Sequence, residues 1–323
     1  MNGKHIKQAL KIGVSLALLI YVIRMVDWKT AGDLIQRAHP GWIALAVGLL
    51  TLERVISVYK WHLLLKRQHT SLSFWRLFVI HYIGGFWGLV LPSSVGADIV
   101  RGYYLSKSTA NLSLTVTSMV VDRLMAGIAL VSMGGVGAWM KGASLGWPHI
   151  RLCLTGLLGG FVLALALFSY APFLRWIDRH LFQRGARIRA VSTLRRWTLA
   201  CLEYRHYPGT LGACFGLSIL MQAVRVLVFY VIALTFGITV SVLYYFLFIP
   251  LITVLIMLPV SFSGIGLREG SFVAFFALIG VPASESFIIS FTVSVLTILA
   301  TAVGGLFYMV DRSGRPPLEA PEN

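Results

Sequence analysis

The chain has 323 residues, 57% of them hydrophobic and 12% charged, with mean hydropathy +0.80 and a formal charge of +16 from 28 Lys+Arg against 12 Asp+Glu. Soluble domains carry roughly 25% charged residues, so this chain cannot cover a water-facing surface, and its recurring apolar runs of helix length define a polytopic α-helical membrane protein. The short alternating segments of a β-barrel are absent; the basic excess is gathered in particular loops, which marks membrane topology and not nucleic-acid binding.

The N-terminus, MNGKHIKQALKIGVSLALLIYVIRMV, has the basic start and apolar core of a signal peptide. No A-x-A-like site follows that core, and Arg24 and Asp27-Trp28 come instead, so residues 12–26 read as an uncleaved first span. A second span runs from Trp42 to about Lys60. Two apolar stretches, 74–91 and 96–105, then flank the segment VLPSSVGADIVRGYYL. Further spans cover 112–139 and 152–170, and a long basic connection, 171–208, follows. The next span, 211–236, precedes the apolar stretch 243–258, a second broken region, and a last span over 287–309. Residues 1–312 form one transmembrane domain, and the polar, Pro-rich tail 313–323 is expected to be disordered. Cys153, Cys201 and Cys214 are scattered and form neither a disulfide framework nor a metal-ligand spacing.

Loop charges set the orientation. Lys4, Lys7 and Lys11 in the N-terminal arm, then Lys60, Lys66, Arg67 and Arg76, then eight arginines against Asp178 and Glu203 in 171–208, place these three regions in the cytoplasm. The nearly balanced segments 27–33 and 141–148 belong outside. The segment around Pro92 must then enter from the cytoplasm and return to it, and 241–284 must do the same from outside. A return arm as short as 96–105 cannot cross ~30 Å at ~1.5 Å per residue. The expected architecture is therefore about six full spans plus two re-entrant broken-helix hairpins, eight hydrophobic segments if the hairpins are counted, with both termini cytoplasmic. Within 171–208, Ile188, Val191, Leu194, Trp197 and Cys201 recur at helical spacing among arginines. That pattern suits an amphipathic helix on the anionic leaflet, and a simple topology determinant is the plainer reading.

The two breaks resemble each other. In LPSSVGADIVRG (91–102) and LPVSFSGIGLREG (258–270), a Leu-Pro pair ends an apolar run, small residues follow, and an Arg stands nine residues after the Pro: Pro92 to Arg101, Pro259 to Arg268. The pattern predicts the unwound points of an inverted repeat around a substrate site near the midplane. Pro removes a backbone donor and Gly permits non-helical dihedrals, so breaks at Pro92, Gly96, Pro259, Gly264 and Gly266 expose polar backbone that must be buried in protein or line a wet cavity. Half-helices beginning near Gly96 and Gly264 aim free N–H groups and a positive dipole end at the site, and Arg101 and Arg268 add full charges. Together these suit an anion, and within a membrane that anion is a lipid phosphate.

Other charges fall at membrane depth: Glu53, Arg54, Asp122, Arg123, Arg225 and Glu269, with Gln222. Each costs roughly 2.5–3.5 kcal/mol mid-helix, so they need partners or water. Asp98 and Arg101 lie three apart on one helical face and are placed to pair. Asp122 and Arg123 are adjacent and must pair across helices, and Arg268 and Glu269 likewise face different neighbours. A structural ion-pair network accounts for Glu53, Asp122, Arg123 and Glu269 as well as a binding role does. His81 is expected to pack within the first hairpin.

On these residues a family likeness is visible. LPSSVGADIVRGYYL, VVDRLMAG (120–127), LPVSFSGIGLREGSF and GVPASESF (280–287) resemble the flippase-like membrane family that includes the transmembrane domain of lysylphosphatidylglycerol synthases. The likeness covers about residues 8–312. The family's first motif is closer to P-G-x-x-G-G-D-x-x-R; here Ser93 and Ala97 stand for glycines while Asp98 and Arg101 are kept. The resemblance implies lipid translocation or handling. The synthases' separate cytosolic domain for aminoacyl transfer is not expected in this chain, so lysyltransferase activity is not implied.

The leading expectation is a lipid flippase or transporter in the cytoplasmic membrane, moving a phospholipid, aminoacylated or polyprenyl-phosphate-linked lipid, with Arg101 and Arg268 on the headgroup phosphate. Asp98, Glu269, Glu53 and Asp122 would hold a cationic headgroup or position the arginines. No nucleotide-binding motif is present, and no cofactor, metal or nucleic-acid partner is expected. The alternatives are a membrane-embedded lipid-modifying transferase, for which no D-x-D motif, His/Cys cluster or arranged nucleophile is present, and an accessory subunit of a cell-envelope lipid synthase.

Overall fold

The computed structural model describes residues 3–67, 72–90, 96–109, 112–141, 156, 204, 206–257, 261 and 264–311. Pro92, Pro259, all but residue 156 of the span expected over 152–170, almost all of the basic connection and the tail lie outside the described residues. Among the described residues ten helices are laid out in chain order: α1 Gly3–Met25, α2 Trp28–Gln36, α3 Pro40–Arg67, α4 Phe74–Val90, α5 Gly96–Thr109, α6 Leu112–Lys141, α7 Pro208–Thr235, α8 Val242–Met257, α9 Leu267–Ala277 and α10 Ala283–Val310. There is no strand among the described residues.

Four of these are long and apolar enough to cross a membrane: α3, α6 from Thr117, α7 and α10. A helix of 28 residues, as in α3, α7 and α10, is ~42 Å long at ~1.5 Å per residue, ample for a ~30 Å core. The 14 residues of α5 and 11 of α9 reach only ~21 Å and ~17 Å. Neither helix is by itself long enough to span.

α3 and α7 are the antiparallel spine. Arg67 at the end of α3 donates to the hydroxyl of Thr210 at the start of α7 (2.9 Å), and the N–H of His39, just before α3, donates to the carbonyl of Thr235 at the end of α7 (3.1 Å). α4 therefore begins at the end of the bundle where α3 finishes, and α8 begins at the opposite end. α4 packs against α5 and α10, whereas α8 packs against α9 and α6. At the first of these contacts Arg76 pairs with Asp311 at 2.7 Å; at the second Lys141 lies 5.2 Å from the Tyr244 ring centroid.

Glycine permits two close helix contacts between the halves of the chain. A Cβ on Gly304 of α10 would meet the Tyr82 carbonyl oxygen of α4 at 2.0 Å, and one on Gly137 of α6 would meet the Leu247 backbone nitrogen of α8 at 2.6 Å. At the second hairpin, Gly264 and Gly266 have φ of 79° and 78°, a region that L side chains rarely adopt. The break expected there is present. Gly96, by contrast, is simply the first residue of α5 and is buried.

Two features depart from the sequence expectation. The balanced external connection expected around 27–33 is largely helical, lying in α2. Asp27 caps it: its carboxylate accepts from the Thr30 hydroxyl (2.6 Å) and the Lys29 N–H (3.0 Å), and these bonds hold its pKa below the ordinary value. A carboxylate so lowered supports the cap fully above the usual range and stops doing so as pH falls through its own value. The Asp27 N–H also donates to Ser284, and Trp28 meets Phe287 edge-on, which ties α2 to α10. The second departure is α3, which continues seven residues past Lys60. That lysine is not a loop charge; it is 1% exposed inside the bundle.

Gly137→Ala and Gly304→Ala should each force two helix backbones apart, at about 1–3 kcal/mol by the usual cost of overpacking. Thermal unfolding in detergent should register both, while Gly48→Ala, with nothing within 4 Å of the added methyl, should be close to neutral.

Candidate functional site

The charged positions singled out from the sequence converge on one cavity of about 370 Å³ between the two hairpins. Glu53, Arg54, Arg101, Asp122, Arg123, Arg225 and Arg268 all line it. The lining positions on the long helices are central: Arg54 is in the middle of α3, and Thr297 in the middle of α10. Asp98 lines a small adjoining cleft with Arg101, Asp122 and Arg123.

Each acid is engaged by a cation from another helix. Arg225 of α7 reaches Glu53 of α3 through Nε at 2.9 Å and Nη2 at 2.5 Å, and its Nη1 donates to Gln222 at 3.1 Å. Arg123 of α6 grips Asp98 of α5 through Nε at 3.0 Å and Nη2 at 2.6 and 2.7 Å, a fork that is among the stronger charge-assisted geometries. Lys60 of α3 pairs with Asp122 of α6 at 3.0 Å and donates to Ser218 at 3.1 Å. The expectation that Asp122 and Arg123 pair across helices is met. The expected Asp98–Arg101 pair is present only as a longer 3.6 Å approach, because Arg123 holds both Asp98 oxygens.

Three guanidiniums remain without a carboxylate of their own among the described residues. Arg54 donates to the Thr301 hydroxyl and lies 5.3 Å from the Tyr82 ring centroid. Arg268 donates to Ser294 at 2.9 Å. Arg101 shares Asp98, and its Nε is buried with no hydrogen-bond partner. A side chain on Gly84 would collide with Arg101 Cγ at 2.4 Å, so the glycine is what lets this arginine lie across α4.

Glu269 is placed differently. It is 3% exposed, its Oε2 accepts from the Gly266 N–H at 2.8 Å as a capping box, and its Oε1 accepts from Ser294 at 2.8 Å. It secures the N-terminus of α9, which seats Arg268, and does not line the cavity. α9 starts at Leu267 with Gly266 as its cap, so Arg268 is in the first turn, nearer the dipole end than a start at Gly264 would put it.

The rest of the lining is apolar, with Val228, Phe229, Ile249, Ile252, Ile256 and Val293 among its residues. His81, 6% exposed, also lines the cavity, as well as packing in the first hairpin as expected. No group of three His, Cys, Asp or Glu that would suit a metal ion occurs among the described residues.

The family model for the lysylphosphatidylglycerol synthase transmembrane region matches residues 8–305. The chain belongs to this family. No curated protein and no solved structure matches it. Family membership and the spanning helices together make it a multi-pass membrane protein with a lipid-related function.

Lys60 and the hydroxyl groups of Ser294 and Thr301 were not singled out from the sequence. A signal for Lys60 exists: Glu53, Ser57 and Lys60 are spaced four and three apart and share one face of α3. The hydroxyls carry no such mark.

Lys60→Met should leave Asp122 charged and unpaired inside the bundle, a loss of about 3–5 kcal/mol for a broken buried pair. Adding Asp122→Asn should restore much of the stability. Chemical denaturation of the three variants in the same detergent checks both statements.

Proposed function

We propose that this protein moves a phosphate-bearing lipid between the leaflets of the cytoplasmic membrane, with the headgroup held in the central cavity by Arg101 and Arg268. The observation that carries the reading is the cavity itself: a polar, cation-rich chamber at the middle of apolar helices, with an aliphatic wall on which a lipid chain can lie. Buried charges of this kind are costly in a membrane and mark substrate paths. Arg54 joins the two arginines as a third donor, since it also lacks a carboxylate of its own among the described residues.

The two hairpins suit this role as halves of an inverted repeat, α3–α6 matched with α7–α10. Helix pairing supports the match: α4 with α10 corresponds to α8 with α6, and the α3–α7 spine maps onto itself. Arg101 and Arg268 stand 167 residues apart, and so do Gly137 and Gly304, the two close-contact glycines. Opposed hairpins around a midplane site are the arrangement used for alternating access. On the positive-inside bias of Lys66, Arg67 and Arg76 and the arginines of 171–208, both termini are cytoplasmic. Movement without a nucleotide site is facilitated exchange or gradient-driven.

Proteoliposomes with a fluorescent phospholipid test the reading. The wild type should equilibrate the probe between leaflets without added nucleotide, and the Arg101→Ala, Arg268→Ala double variant should do so at least tenfold more slowly. Equal rates would remove the two arginines from the site. A chemically altered lipid after incubation with a donor would instead favour the transferase alternative.

A further inference from the structure

Resting on the transport reading above, we propose that the cavity selects a lipid headgroup bearing at least two negative charges, a phosphomonoester or a diphosphate, and rejects cationic aminoacylated headgroups. The charge balance points there. Six cations line the cavity: Arg54, Lys60, Arg101, Arg123, Arg225 and Arg268. Glu53 and Asp122 line it with them, Asp98 lines the adjoining cleft, and Glu269 adjoins Arg268 in the chain behind the wall. Four acids against six cations leave an excess of two positive charges in a low-dielectric setting.

Each of the four acids already has a partner inside the protein. Glu53 is held by Arg225, Asp98 by Arg123 and Asp122 by Lys60, while both Glu269 oxygens are taken by the Gly266 N–H and Ser294. An ammonium entering the cavity meets three guanidiniums without carboxylates of their own among the described residues, and gains Glu53, Asp98 or Asp122 only in competition with the cation already paired to it. An anion meets the reverse situation. Arg54 and Arg268 donate to hydroxyls and Arg101 only shares Asp98, so a phosphate oxygen is the charged acceptor that none of the three has to itself among the described residues. A phosphodiester with one charge compensates half of the excess; a headgroup with two closes it.

The same chemistry belongs to a lipid headgroup and to a free diphosphate. The aliphatic wall favours the lipid, because Val228, Ile249, Ile252 and Ile256 offer nothing to a hydrated ion.

Binding to the purified full chain in detergent separates these, with phosphatidic acid at pH 8, farnesyl diphosphate, phosphatidylglycerol, lysyl-phosphatidylglycerol and inorganic diphosphate as probes. Phosphatidic acid and farnesyl diphosphate should bind at least tenfold more tightly than phosphatidylglycerol, with no saturable binding of the lysyl lipid. Arg101→Gln, Arg268→Gln and Arg54→Gln should each erase most of that preference, while Lys29→Gln on the exposed α2 should keep it. Lysyl-phosphatidylglycerol binding as tightly as phosphatidic acid would overturn the proposal, as would an unchanged preference in all three arginine variants. Inorganic diphosphate matching farnesyl diphosphate would overturn the lipid as ligand. If the preference holds but reconstituted protein moves none of these lipids, the headgroup assignment stands and the transport reading fails.

Discussion

A charge placed among apolar helices needs a counter-charge, hydrogen-bond partners or water, and that requirement organises this structure. Three ion pairs, Glu53–Arg225, Asp98–Arg123 and Lys60–Asp122, each join two different helices. They tie α3 to α7, α5 to α6 and α3 to α6, so the cross-links that relieve electrostatic cost also fix the spine and the first hairpin. Apolar packing does not choose a register so sharply, because leucine faces are interchangeable. A charge displaced by one helical turn loses its partner.

Backbone close approach supplies the other half of the framework. Gly137 against α8 and Gly304 against α4 bring each hairpin's entering helix onto a long helix of the opposite half of the chain. In a membrane, where lipid tails compete equally for apolar surface, such small-residue contacts are a main source of helix association. The result is that both return arms, α5 and α9, are held with their arginines on one cavity. At α9 the local fold is specialised further. Gly264 and Gly266 take up positive φ, Glu269 caps the turn, and Ser294 bridges Glu269 and Arg268. Arg268 is thus oriented by a set of contacts that leaves its charge uncompensated by any carboxylate of its own.

The chemistry of the cavity follows from which pairs close and which do not. Adjacent residues in sequence have opposite fates: Arg123 is locked on Asp98 while Asp122 turns to Lys60, and Arg268 faces the cavity while Glu269 faces the helix end. The unspent positive charge of Arg54, Arg101 and Arg268, next to an aliphatic wall, is the property from which both functional proposals are built.

Composition and the spacing of apolar runs were sufficient for the helical membrane class, because the cost of unpaired backbone in hydrocarbon leaves few other folds. The paired Pro-x8-Arg segments made the two arginines and the second break legible, since proline and glycine act on the chain locally. The sequence also showed that Asp122 and Arg123 need partners, because neighbours on a helix point apart. It did not show which partners. From the sequence alone Lys60 reads as a loop charge, Asp98 has Arg101 in view but not its shorter partner Arg123, and Glu269 reads as one of the binding residues. Those outcomes depend on which helices touch and at what height, and only the packing of α3, α5, α6 and α7 into one bundle, and of α9 against α10, decided them.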